Sequence, residues 1–358
     1  MLRRAFSAVP AICLLALAAI APAAAGAANA YHVTKLVSDQ PGVAAHMDPN
    51  LVNAWGLVAG PSTPWWVADN ETDLSTLYTG DGDPLPLVVN VPGGPTGIVF
   101  NGGSGFVVND GTNSGAARFV FDTEAGTIRG WSPGVPPPPL STQTEVGADR
   151  SGVGAIYKGL AIASTDDGDR LYAADFHNAR VDVFDGDFGL VTMPGAFVDP
   201  KLPPRFAPFG IQNIGGKIFV AFAKQDPDAE DEVAGRGLGF VDAFDTDGTL
   251  LRRVATRGPL NAPWGLAMAP AGFGRFGGDL LVGNFGNGQI NAYVERPNGS
   301  FEHDGRLRVP NGRPLAIDGL WALQFGNDSA AGSADSLFFT AGPDDETHGL
   351  FGEVDPAP

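Results

Sequence analysis

One short phrase, repeated six times, limits what this chain can fold into more than any other feature. A variable residue, a glycine and an aliphatic residue recur at Trp55-Gly56-Leu57, Thr96-Gly97-Ile98, Lys158-Gly159-Leu160, Phe209-Gly210-Ile211, Trp264-Gly265-Leu266 and Asp318-Gly319-Leu320. Successive glycines lie 41, 62, 51, 55 and 54 residues apart. Each copy is followed by a second apolar run, such as Trp65-Trp66-Val67-Ala68-Asp69, Gly105-Phe106-Val107-Val108-Asn109 or Asp279-Leu280-Leu281-Val282-Gly283-Asn284. A period near fifty residues marks a repeat architecture, in which each unit is too small to bury its own apolar face.

Further period-2 runs complete most units, among them Arg118-Phe119-Val120-Phe121, Val181-Asp182-Val183-Phe184 and Val241-Asp242-Ala243-Phe244. They are closed by Asp, Asn and Gly turn chemistry. No stretch beyond residue 30 carries a sustained 3.6-residue stripe, and 50 glycines with 30 prolines suit many short elements joined by turns. Six four-stranded units predict an all-β chain folded as a six-bladed β-propeller.

The last unit is a strand short, with only Gly349-Leu350-Phe351-Gly352-Glu353-Val354 after Phe338-Phe339. A strand is left over at the other end, Tyr31-His32-Val33-Thr34-Lys35-Leu36-Val37. Inserting Tyr31 to Val37 into the last blade beside Phe351 closes the ring and removes an exposed edge. Two segments interrupt the repeat. Residues 132–153, with four consecutive prolines from Pro136, read as a long loop between blades two and three. The acidic run Asp226-Pro227-Asp228-Ala229-Glu230-Asp231-Glu232 reads as a loop between the second and third strands of blade four, either a solvated charge run or, without EF-hand spacing, a Ca²⁺-binding loop.

Residues 1–30 have the build of a signal peptide: Arg3 and Arg4, an apolar stretch over residues 11–23, and Ala28-Asn29-Ala30 before a cleavage point near Ala30. The expectation is an exported protein, periplasmic or extracellular, with one propeller domain over residues 31–358. Cys13 lies within the signal, so the remainder carries no thiol, disulfide or cysteine metal site. No later segment has the apolar length of a membrane span. Beyond residue 30 the chain holds 20 basic and 40 acidic residues. That balance repels nucleic acid and anionic membranes and favours cations or neutral ligands, and a monomer is expected.

Strand direction narrows the search for a site. The start of each first strand and the end of each second strand share one face of the disc. That face is expected to collect Asp69, Asn70 and Glu71, Asn109 and Asp110, Asp175 with His177 and Asn178, Lys224, Gln225 and Asp226, Asn284, and the run Asp344-Asp345-Glu346-Thr347-His348. As oxygen donors, Asp69, Asp110, Asp175 and Asn284 are candidate ligands for Ca²⁺. His177 is the candidate catalytic base. Asn70, Asn109, Asp175, His177, Lys224, Asn284, Asp344 and His348 are candidate ligand-binding residues. The alternative for each Asp or Asn is a turn cap bonded to local backbone. Trp55, Phe209 and Trp264 either line the channel or pack between blades. No nucleophile elbow, zinc-protease helix or phosphate loop motif is present.

The phrases Ala262-Pro263-Trp264-Gly265-Leu266-Ala267 and Leu171-Tyr172-Ala173-Ala174-Asp175-Phe176-His177-Asn178-Ala179-Arg180-Val181 resemble NHL-type propeller repeats. Over the whole chain beyond the signal, Asn53-Ala54-Trp55-Gly56, Ala223-Lys224-Gln225-Asp226, Gly239-Phe240-Val241-Asp242-Ala243-Phe244-Asp245 and Phe339-Thr340-Ala341-Gly342-Pro343-Asp344-Asp345-Glu346 resemble a bacterial family of uncharacterised exported proteins. Some members of that family carry a Pro-Glu-Pro sorting tail, which this chain lacks. The resemblance implies a propeller and export and brings no activity. Three functions are open: a non-catalytic propeller binding a small molecule or protein on the polar face, a Ca²⁺-dependent hydrolase like the six-bladed lactonases, and a lyase like the streptogramin-lyase propellers.

Overall fold

The computed structural model describes residues 28–358, so the expected signal segment, Cys13 included, lies outside the described residues except for its last three. Six sheets are arranged as the six blades of a β-propeller. Their innermost strands are Ala54–Val58, Pro95–Phe100, Tyr157–Thr165, Phe206–Ile214, Pro263–Met268 and Leu320–Phe325. Each touches the next around the ring, and the sixth touches the first.

The repeated glycine is where these inner strands approach one another. A methyl group on Gly159 would lie 2.8 Å from the Phe209 carbonyl oxygen, and one on Gly265 would lie 2.5 Å from that of Trp321. Glycine therefore serves close backbone approach here rather than an unusual φ. The sixth copy falls three residues later than the sequence suggests. The irregularity between Leu320 and Leu323 corresponds to that between Pro263 and Leu266. Trp321-Ala322-Leu323, not Asp318-Gly319-Leu320, is thus the sixth phrase, with alanine in the glycine's place.

Ring closure follows the expectation. Tyr31–Ser38 pairs antiparallel with Leu350–Pro356, with Val37 opposite Phe351. Tyr31 is buried; its hydroxyl donates to the Phe273 carbonyl (3.1 Å) and accepts from the Phe276 N–H (3.3 Å). The closing strand is thereby tied to blade five as well as to its own sheet.

Blade two departs from the sequence reading. Its second strand is Phe119–Thr123, paired with Pro95–Phe100. Val107–Asn109 instead joins Ser114–Ala116 in a separate two-stranded ribbon. This excursion starts and ends at the far end of the inner strand, so Asn109 and Asp110 lie on the face opposite to the one expected. Nor are residues 132–153 wholly loop, because Glu145–Asp149 is the outer strand of blade two. Among the described residues no helix is long and apolar enough to cross a membrane.

Candidate functional site

The channel divides into two unlike ends. Where the second strands finish, side chains from five blades close the mouth around Lys158. This lysine occupies the variable slot of the repeat, and the start of its strand places it on the polar face. Its side chain is only 2% exposed. The ammonium binds Glu124 at 2.5 Å and Asp231 at 3.2 Å and lies 5.2 Å from the centre of the Trp55 ring. Glu124 follows the second strand of blade two. Asp231 is brought over the mouth by the acidic loop of blade four, whose base is closed by Asp226 N–H to Asp231 O at 2.8 Å and Val233 N–H to Lys224 O at 2.7 Å.

Two amides extend this network. Asn70 donates to Glu124 (3.0 Å), while Asn53 donates to Glu346 (2.7 Å) and to the Asn70 side-chain oxygen (3.2 Å). The Trp321 indole N–H in turn donates to Asn53 at 2.9 Å. Glu346 arrives on three consecutive left-handed residues, Asp344, Asp345 and Glu346, with φ of 56°, 52° and 67°. Such a run is disfavoured for L-residues at roughly 1–2 kcal/mol each. Strain of this kind persists where the surroundings over-determine it. Here the bond from Asn53 to Glu346 is one such restraint.

Burial disfavours charge at this mouth, and the carboxylates act against it on the lysine. Desolvation alone would lower Lys158, but Glu124, with Glu232 and Asp231, outweighs it and holds the amine above the ordinary lysine range. Its lone pair is therefore unavailable as a base or nucleophile at neutral pH. Burial pushes Glu232 up to about 8, with Lys158 opposing and Glu346 adding to the rise. Glu346 is raised chiefly by burial too, against the Asn53 hydrogen bond and Lys158.

Beneath this network the channel is plugged by aromatic rings. Trp55 and Trp321 stack at 3.7 Å, Phe285 stacks on the other rings through Trp321 at 4.0 Å, and Phe209 meets Trp321 edge-on at 5.7 Å. Trp264 is partly exposed, whereas Trp55, Phe209 and Trp321 are buried. It donates its indole N–H to the Lys158 carbonyl at 2.6 Å and also lines the space on the far side of the plug. That space is a blind channel of about 310 Å³, walled by the inner strands of all six blades. Its lining is aliphatic side chains, glycine backbone and the rings of Phe100 and Trp264, with the amides of Gln212, Asn213 and Gln324. None of the residues lining it is ionisable.

Of the residues expected on this face, Asn70 and Glu346 are bonded into the Lys158 network. Asp69 is fully buried within its own blade, its carboxyl raised well above the usual range by desolvation. Asp175 accepts from the Asn178 backbone (3.2 Å) and side chain (2.8 Å) and pairs with Arg180 (3.2 Å). Asn284 binds the Pro259 carbonyl, the Asn287 side chain and the Asn261 N–H. Asp110, on the opposite face, caps its own turn through Thr112 and Asn113. Asn109 likewise accepts from Gly111.

The four oxygen donors Asp69, Asp110, Asp175 and Asn284 therefore do not converge, and they do not fit a calcium ion. Among the described residues no three His, Cys, Asp or Glu side chains form a metal-holding group. His177 meets the Ala229 carbonyl at 3.2 Å and so braces the acidic loop. His348 pairs with Asp39 at 2.7 Å, Lys224 offers its carbonyl to the same loop, and Asp344 is exposed. The sequence reading misses Asn53, Glu124 and Lys158 as site residues; it places Glu346 on this face and reads Asp231 and Glu232 as part of an acidic loop that could take Ca²⁺. The available signal was Lys158 itself, a charge in a slot that is aromatic at Trp55, Phe209, Trp264 and Trp321.

No family model matches the chain. Catalytically inactive virginiamycin B lyase from Staphylococcus aureus, solved with quinupristin, superposes with a TM-score of 0.51 at 11% identity over 91% of this chain and 99% of that one. A glucose dehydrogenase gives 0.55 at 14% identity over 91% and 100%. At such identities the likeness is one of fold alone. Two Acanthamoeba polyphaga mimivirus proteins are far nearer in sequence. R648 is 34% identical over 343 residues, 92% of this chain and 81% of its own length, and L690 is 35% identical over 343 residues, 90% and 85%. The chain belongs to the family of uncharacterised proteins that includes mimivirus R648 and L690.

Proposed function

We propose that this protein is a non-catalytic, exported binding propeller that takes a small uncharged ligand in its central channel. Entry is from the face where first strands end, opposite the sealed Lys158 mouth. One observation carries the reading: a channel of about 310 Å³, reached by all six blades, is lined by no ionisable residue. That volume is at the small end of ligand sites. Aliphatic walls, the Trp264 floor and rim amides suit a molecule with an apolar body and a few hydrogen-bonding groups. Acid–base chemistry needs a titratable group within reach of the ligand. The candidate lyase bases, His177 and His348, lie on the sealed face, His177 against the Ala229 carbonyl and His348 paired with Asp39. The proposed calcium ligands are dispersed, which leaves metal-assisted hydrolysis without a ligand set. Arg3, Arg4 and the apolar stretch after them support export.

The test is a thermal-shift screen of neutral, cationic and anionic small molecules against the wild type and Gln324→Trp, which narrows the rim. Stabilising compounds should be uncharged, and their effect should disappear in Gln324→Trp. A charged ligand whose effect survives Gln324→Trp and is lost in Lys158→Met would place the site at the other mouth and overturn the proposal.

A further inference from the structure

Away from the channel, blades one and two leave a groove of about 490 Å³ between their outer parts. Its buried base includes Trp66, Phe119 and Trp131. Trp66 stacks on Phe119 at 4.0 Å with the planes 17° apart, and Trp131 lies 4.7 Å from Trp66. Leu85 and Leu87 line it as half-buried side chains, and Leu140, 59% exposed, is the most exposed large apolar residue among those described. The Trp131 indole N–H is satisfied by the Ser141 carbonyl at 2.7 Å, so that polar atom asks nothing of a ligand.

A single charged residue, Arg118, lines this apolar groove. Its Nη1 donates to the Gly103 carbonyl at 2.9 Å and reaches the Asn101 carbonyl at 3.5 Å. Among the described residues it has no carboxylate partner, on a chain of net charge −18 whose other arginines include many in ion pairs. A guanidinium presents five donors in a planar fork that matches a carboxylate. An apolar groove of this size with one uncompensated cation at it is complementary to an amphiphilic anion.

We propose that the groove between blades one and two binds a free fatty acid, its hydrocarbon chain over Trp66, Phe119 and Trp131 and its carboxylate on Arg118. This site shares only Phe100 with the lining of the channel and does not depend on the channel reading.

Calorimetric titration of the purified full chain with dodecanoate, dodecanol and dodecyltrimethylammonium, each below its micelle concentration, tests the proposal. Dodecanoate should bind at least about tenfold tighter than the other two, the usual worth of a charge-assisted hydrogen bond. Arg118→Gln should remove that preference, and Leu140→Asp should weaken dodecanoate by about tenfold or more through repulsion and lost contact. Both positions are exposed, and an unchanged circular-dichroism melt confirms that the variants fold. Equal binding of the three amphiphiles, or no binding of dodecanoate to the wild type, overturns the proposal. So does dodecanoate binding that Gln324→Trp abolishes and Leu140→Asp leaves intact, because the ligand would then occupy the channel.

Discussion

Replacing Lys158 with methionine tests whether the polar mouth is held together by one charge. Methionine keeps much of the stem, so the change removes the ammonium with little loss of volume. The ammonium has two anionic partners of unequal worth. Asp231 is 73% exposed, and an ion pair that wet contributes little. Glu124 is 33% exposed and bound at 2.5 Å, and it also takes the Asn70 amide. Removing one member of a fully buried pair costs roughly 3–5 kcal/mol, mainly through the charge left behind. Partial exposure lets water reach Glu124, so about 2 kcal/mol is the expected loss. For a chain of this size that corresponds to a fall of about 3 °C in melting temperature.

The double variant Lys158→Met/Glu124→Gln separates this account from a simple packing loss. With both charges gone, the stranded carboxylate is gone too, and most of the loss should be recovered. Scanning calorimetry of wild type, both single variants and the double variant supplies the cycle. A Lys158→Met protein that melts with the wild type would refute the keystone role. Additive losses in the double variant would show that the two side chains are not coupled.

Three further outcomes follow from the same geometry. Gly265→Ala would set a methyl group 2.5 Å from the Trp321 carbonyl oxygen and 2.9 Å from Leu323; because backbone cannot yield as a side chain can, the cost should be about 3 kcal/mol, at the upper end for overpacking, read as a lowered denaturation midpoint. Burial pushes Glu232 from the ordinary glutamate value of 4.5 up to about 8; the folded state therefore holds the extra proton, and this contribution is full below about pH 4.5 and lost as pH rises to about 8. Glu232→Gln should accordingly gain on the wild type through that window, and parallel melting curves across it would contradict the buried placement. Since the expected calcium ligands do not converge, a chelator should leave the melting temperature within the scatter of repeats, and a clear drop would reveal a metal site outside these residues.

The fold was legible because its cause is periodic. Six inner strands must approach closely, five do so at glycine, and the strands after them alternate with turn residues at a regular spacing. Only local departures escaped, and each has a physical reason. Gly105-Phe106-Val107-Val108-Asn109 has strand composition, yet a pattern cannot tell which of two apolar runs a neighbour will pair with; Phe119–Thr123 took the place beside Pro95–Phe100. In the sixth copy Ala322 stands where glycine is expected, so the nearest glycine, Gly319, was mistaken for it. There the close approach is bridged by Thr340, whose hydroxyl accepts from the Ala322 N–H at 3.1 Å and donates to the Trp55 carbonyl at 2.5 Å.

The site was less legible, because its residues come from places where the repeat is broken rather than kept. Glu124 lay in an apparent hairpin turn, Asp231 and Glu232 in an acidic loop that resembles a solvated charge run, and Glu346 behind a left-handed turn that no local propensity favours. Only the closed ring brings them to Lys158. The residues that looked most functional, Asp69, Asp175 and Asn284, recur at equivalent strand ends; Asp175 and Asn284 are bonded locally, and Asp69 is fully buried within its own blade. In a propeller, recurrence at equivalent positions therefore points to scaffold. The informative residue is the one charge in a slot otherwise filled by four aromatic rings and Thr96: Lys158 closes one mouth, and that closure favours the opposite, uncharged channel as the proposed ligand site.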